Sequence, residues 1–334
     1  MTVRTVDVHA HVDVPAIAPM VQGRDGLTRE MAAQFATFGP ESTARNVELA
    51  TTTYRPMLDD PAVRLRLMDE GGVDVQAVSV IPTLYHYWAD AALAADVVAA
   101  ANEAIAALVA KDAQRFVGLA SVALQHPELA AEQLREATRG LGLRGVEIST
   151  SVDGRELSDR ALDPFWAAAE ELGSFVFVHP WGCSLGDRLA TAYLGNVVGN
   201  PTETTLALTH LVFGGVLDRF PRLRVCGAHG GGYFPHYLAR ADHAYRVRAE
   251  SRTMAQPPSA YLDRLYFDSL VYSPGELARL VQAAGAGHVV LGSDYPFDMG
   301  VPDPVARLDA VGLPSAERDA VAGATASRLL GLDG

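Results

Sequence analysis

Cysteine and lysine are nearly missing from this 334-residue sequence, and each shortage removes a class of function. Two cysteines, Cys183 and Cys226, cannot build a disulfide framework or a thiolate metal site, and they suit a reducing cytoplasm, the expected location. Lys111 is the single lysine, and arginine supplies the other 26 of 27 basic residues. Against 40 acidic residues this leaves a net charge of −13, which disfavours a nucleic-acid partner but not a small anion held by local arginines. No basic segment leading into an apolar stretch opens the chain, and the most apolar region, Ala91 to Ala110, is interrupted by Asp96, Asn102 and Glu103. Neither a signal peptide nor a membrane partner is expected. Low-complexity tracts, short-period repeats and a Gly/Ser/Pro-rich linker are also missing, so residues 1–334 read as one domain.

What is present is alternation. Short β-branched or apolar runs at Val3–His9, Val75–Val80, Phe116–Ser121, Gly145–Ser149, Phe175–His179, Arg224–His229, Leu265–Asp268 and His288–Gly292 read as strands. Helical patterns lie between them, at Pro61–Glu70, Ala89–Lys111, Pro127–Leu141, Pro164–Leu172, Glu203–Phe220 and Pro274–Ala284, several opened by proline. Repeated strand–helix units imply parallel pairing, and eight of them predict an α/β fold, a (β/α)₈ TIM barrel. About 50 residues after the first strand, roughly 12 to 61, predict a small cap insertion over the barrel mouth. A doubly wound sheet competes, but no glycine-rich turn follows the first strand.

Chemistry in such barrels sits at the C-terminal ends of the strands. His9 and His11, two apart on a strand, share one face. His179 ends the fifth strand, His229 the sixth, and Asp294 lies just past the eighth. Three histidines and a carboxylate suit Zn²⁺ or another divalent ion with an open position for water, and the remaining imidazole, His229, is placed to act on that water. With no lysine on strand four (LRGVEIST) to become a carboxylated bridge, the site reads as mononuclear; Glu147 on that strand reads as a buried, hydrogen-bonded carboxylate or a pocket wall. His126, His236, His243 and His288 read as solvent or packing residues. Tyr85-His86-Tyr87-Trp88, just after strand two, offers either aromatic walls for a planar substrate or a packed loop.

The segments VDVHAH, FVHPW, GNPTETTLALTHLVFGGVLDRFPRLRVCGAHGGGYFP and VVLGSDYPFDMG together resemble the amidohydrolase-related decarboxylases, within them the α-amino-β-carboxymuconate-ε-semialdehyde decarboxylase branch, over nearly the whole chain. The resemblance implies one zinc held by His9, His11, His179 and Asp294, with His229 activating the metal-bound water. It implies that substrate carboxylates are bound by Arg55, Arg240 and Arg248, the strand-six arginines acting across a homodimer interface. Asp294 shares proton transfer with His229 in this reading, and Trp181 and Tyr85 complete the substrate-binding set. The expected activity is nonoxidative decarboxylation of a small unsaturated or aromatic acid; the alternative is hydrolysis of an amide or lactone, since fold and metal do not choose the electrophile. The segment ESTARNVELATTTYRP, the YHYWAD loop and Tyr193, near where those enzymes carry tryptophan, depart from the pattern. Histidine rather than glutamate at position 9 points to the semialdehyde branch.

Overall fold

The computed structural model describes residues 3–332; residues 1, 2, 333 and 334, which the one-domain expectation includes, lie outside them. Among the described residues one sheet has eight strands: β1 (Val6–Val12), β2 (Val75–Val80), β3 (Phe116–Ala120), β4 (Gly145–Ile148), β5 (Phe175–Val178), β6 (Arg224–Gly227), β7 (Leu265–Asp268) and β8 (Val289–Val290). Each pairs in parallel with the next. The sheet closes on itself where Val8 N donates to Leu291 O at 2.9 Å, Asp294 N to His9 O at 2.8 Å and His11 N to Tyr295 O at 2.8 Å. The molecule is a (β/α)₈ barrel.

The connecting helices begin where side chains satisfy free backbone donors. Asp60 accepts from Ala62 N ahead of the helix Pro61–Gly71, Asp90 from Leu93 N ahead of Ala91–Lys111, and Ser273 from Glu276 N ahead of Pro274–Ala284. Ala91–Lys111 is long and apolar enough by composition to cross a membrane. Here it packs on the barrel, with Leu93, Val97, Val98 and Ile105 in the core. Inside the barrel Val6, Val8, Ala77, Leu119, Phe175 and Phe177 share one apolar cluster with Ala326 and Leu329 of the C-terminal helix, which plugs the bottom.

Two expectations are corrected. The first strand runs to Val12 rather than ending at His9, so both histidines lie within it. The helix expected over Glu203–Phe220 is two, Asn200–Phe213 and Val216–Arg219, separated at Gly214 and Gly215. The insertion expected over the barrel mouth is a helical arm: a helix spans Asp25–Leu49 and continues through Ala50–Tyr54 to Arg55–Asp59. Of its 25 residues only Gly26, Thr37, Gly39 and Leu49 are buried, so no apolar stripe marks it in the sequence. It bends at Gly39, φ 71°, just before Pro40; a Cβ at 39 would lie 2.0 Å from the carbonyl oxygen of Ala190.

Candidate metal centre

Simple alternation along β1 puts Val6 and Val8 inside the barrel and would turn His9 and His11 outward. The pairing with β2 prevents this: Asp7 faces Gln76 but Ala10 faces Val78, so Val8 and His9 together oppose one residue. This bulge brings His9 to the inside as well, where its ring lies 4.8 Å from Phe177 and 5.0 Å from His179. His9 N loses its place in the ladder and donates instead to Asp7 Oδ1 at 3.0 Å. Asp7 is held in turn by Ser293 Oγ at 2.6 Å and Gln76 Nε2 at 3.0 Å, and the buried Arg64 donates to Gln76 and to His11 O.

His179 follows Phe175 and Phe177 on the inward face of β5 by ordinary alternation. His229 and Asp294 both adopt left-handed backbone, φ 54° and 58°, uncommon for residues with a Cβ. Asp268, the last residue of β7, secures the first of these turns by accepting His229 N at 3.0 Å and Gly230 N at 2.7 Å. It also meets His9 Nδ1 at 2.7 Å. A carboxylate can only accept there, so the Nδ1–H of His9 donates; His11 Nδ1 likewise lies 3.1 Å from the Val80 carbonyl. Each ring therefore presents Nε2 to the centre.

Ligating atoms of His9, His11, His179 and Asp294 all lie within 4.8 Å of one another, and all four residues are buried. Asp294 Oδ1 is 3.3 Å from both His9 Nε2 and His11 Nε2, and His229 Nε2 is 3.7 Å from Asp294 Oδ2. Nε2 of His9 and His11, both ring nitrogens of His179 and Asp294 Oδ1 are buried without a hydrogen-bond partner. Unpartnered lone pairs facing one point fit a divalent cation.

The electrostatics agree. Burial and the neighbouring His9, His11 and His229 push the His179 pKa well below the usual range, leaving it neutral as a ligand must be. Burial opposes charge on Asp294, but the surrounding imidazoles outweigh it and hold its carboxyl well below the usual range. Burial also opposes charge on His9, yet Asp294 and Asp268 push it up to about 10. A proton on His9 Nε2 and a cation at the centre are thus rival partners for Asp294.

Above the cluster opens a cavity of about 720 Å³, lined by His179 and Asp294 at its floor, by Trp181 and Tyr193 after β5, and by the helical arm. Arg55 lines it and pairs with Asp59. Arg240 and Arg248 do not: both are exposed, on or at the end of the helix Leu238–Val247, and Arg248 bonds Glu250. Tyr85 is a correction. It is buried, stacks on Tyr87 at 5.5 Å and donates to Glu147 Oε1 at 2.6 Å, so it does not line the cavity above the cluster. Glu147 also accepts from Ser79 at 2.6 Å, the hydrogen-bonded core carboxylate expected of it. His86 and Trp88 turn instead to Glu30 of the arm.

Asp268 and Glu30 were not among the expected site residues. Asp268 was within reach, because the strand-end rule that selects His179 also selects a carboxylate closing LYFD. Glu30 carried no signal, its helix being unmarked.

Known proteins share this arrangement's scaffold. The 2-amino-3-carboxymuconate-6-semialdehyde decarboxylase of Dictyostelium discoideum is 36% identical over 277 residues, 82% of this chain and 77% of its own length. The crystal structure of 5-carboxyvanillate decarboxylase from Sphingomonas paucimobilis superposes with a TM-score of 0.84 at 26% identity, covering 98% of this chain and 99% of that one. A dihydroxybenzoic acid decarboxylase from Polaromonas sp. JS666, solved with manganese and 2-nitroresorcinol, gives a TM-score of 0.83 at 22% identity over 100% and 98% of the two chains, a likeness of fold. With residues 6–332 matching its family model, the chain belongs to the amidohydrolase family.

Proposed function

We propose that the protein is a carboxy-lyase that decarboxylates a small unsaturated or aromatic acid without an oxidant, using one divalent ion, zinc in our reading, held by His9, His11, His179 and Asp294. The observation that carries this is the set of buried, unpartnered ligand atoms at the floor of a substrate-sized cavity. The relatives named as decarboxylases favour loss of CO₂ over hydrolysis. A bound ion there supplies Lewis acidity, polarising a substrate oxygen and acidifying water to a pKa of about 7.

The chain's own residues handle the proton and the substrate. In the net reaction the bond between carbon and carboxylate breaks, its electron pair stays on carbon, and that carbon takes a proton. His229 Nε2 and Asp294 Oδ2 face each other at 3.7 Å and are the groups in reach to deliver it. Asp268 keeps the His229 turn in place through two backbone N–H groups. Arg55 leaves Asp59 to hold a substrate carboxylate at the cavity wall. Arg240 and Arg248, outside the cavity of their own chain, act in this reading across a homodimer.

The protein, stripped of metal and reloaded with zinc or manganese, is assayed for CO₂ against muconate semialdehydes, hydroxybenzoates and simple lactones. Metal-dependent CO₂ release is expected, and ring or ester opening without CO₂ would establish the hydrolase instead. His229→Ala is expected to lose turnover while keeping its metal; metal loss would move His229 into the ligand set.

A further inference from the structure

The cavity is larger than a single ring requires. About 150 Å³ is enough to hold benzene, whereas the space above the His/Asp cluster is about 720 Å³. Its upper part runs along the helical arm, where Leu27, Met31, Phe35 and Phe38 recur at helical spacing and all line it. Met31 is 63% and Phe35 52% exposed, apolar surface with nothing from this chain over it. Trp181, Tyr193 and Phe297 line it as well.

The arm is pinned at this height. Glu30 accepts from Trp88 Nε1 at 2.8 Å, from His86 Nδ1 at 2.9 Å and from Trp181 Nε1 at 3.0 Å, tying the arm to the loops after β2 and β5. One turn earlier Gly26 lies flat on Trp88: a Cβ there would come within 2.0 Å of the indole ring. Gly39 rests equally close to Ala190 just past Phe38. Fixed on both sides of the stripe, the arm cannot settle onto the cluster there, so the space persists for an occupant. Among the described residues lining it, Arg55 is the one arginine or lysine, against Asp13, Glu30, Asp294 and Asp298. Apart from these charged groups, the wall suits hydrocarbon.

We infer, on the basis of the decarboxylase reading above, that the substrate is an acid with an apolar arm: its carboxylate-bearing end lies at the His/Asp cluster and Arg55, and its arm lies along the Met31–Phe35 stripe.

The test is calorimetric binding of non-reacting 4-alkylbenzoates, with alkyl chains of one to six carbons, to the metal-loaded full chain. Kd is expected to fall about threefold to fourfold per methylene while the chain enters the stripe. Met31→Ser and Phe35→Ser, both at exposed positions, are expected to flatten that slope. A Kd independent of chain length overturns the inference, and so does a slope unchanged in both variants. So does a dimer, followed by sedimentation, that Met31→Ser dissociates while chain length has no effect, since the stripe then belongs to a second copy. Because binding needs no turnover, a clear slope with no CO₂ from any acid leaves the apolar subsite standing and removes the decarboxylase reading alone.

Discussion

The floor and the roof of the cavity are held by opposite means. At the floor, His9 enters through a bulge and His229 and Asp294 through left-handed backbone. These conformations are costly by themselves and persist because Asp7, Asp268 and the Arg64–Gln76 pair hold them with buried hydrogen bonds. At the roof, a helix is ordinary in its backbone apart from Gly39 and mostly solvated, and it is held by one carboxylate, two close glycine contacts and apolar packing such as Phe38 on Tyr193. Damage at the floor should therefore strike chemistry and metal, and damage at the roof should strike fit and local stability.

The comparison breaks first at Asp294. Asp294→Asn is expected to cost on the order of 10³ in kcat/KM, since it removes a ligand and a proton-transfer group together. Bound metal, measured on the same protein, should fall with it; near-normal turnover would take Asp294 out of the floor. Next comes Asp268→Asn, which touches no metal but weakens the acceptor that orients His9 and the His229 turn. Metal affinity, titrated against a chelator, should drop about 10- to 100-fold, the usual consequence of losing a ligand's hydrogen-bond partner. An unchanged affinity would mean the bulge alone orients His9.

The smallest effect is at the roof. Glu30→Gln is expected to lower stability at pH 7 by about 1–3 kcal/mol, the worth of hydrogen bonds to a charged acceptor, with a smaller change in kcat than in KM. Burial opposes ionisation of Glu30, but His86, Trp88 and Trp181 overcome it and hold its carboxyl below its ordinary value of 4.5. A carboxyl depressed by folding stabilises the protein fully above its unfolded pKa and loses that contribution as pH falls through its folded pKa. The gap in Tm between wild type and Glu30→Gln should thus be constant near neutrality and shrink below about pH 4.5. A constant gap down to pH 3 would show that Glu30 contributes by packing rather than by charge.

Legibility followed the range of the interactions. Strands β2 and β7 and the helix Pro274–Ala284 have the bounds the sequence suggests, because alternation, a capping serine and an opening proline are local signals. The helical arm did not show, since its neighbours are loops far along the chain and few of its residues are buried. Tyr85 was misjudged for a related reason: a tyrosine at the catalytic face can turn either way, and Glu147 on β4 is what draws it inward.

By itself the sequence determined the alternating units that make a barrel and the residue types at the strand ends, three histidines and a carboxylate converging with a fourth imidazole beside them. Periodicity and side-chain chemistry are written into neighbouring residues, so they can be read there. Only the tertiary structure decided which way those residues point. Strict alternation would send His9 outward beside an inward Val8, and the contrary result comes from a bulge against β2 and from a hydrogen bond to Asp268, 259 residues away. The height of the roof was decided the same way, by three N–H groups from two distant loops meeting one carboxylate. Such pairings depend on which segments the closed barrel brings together, and no local pattern encodes that.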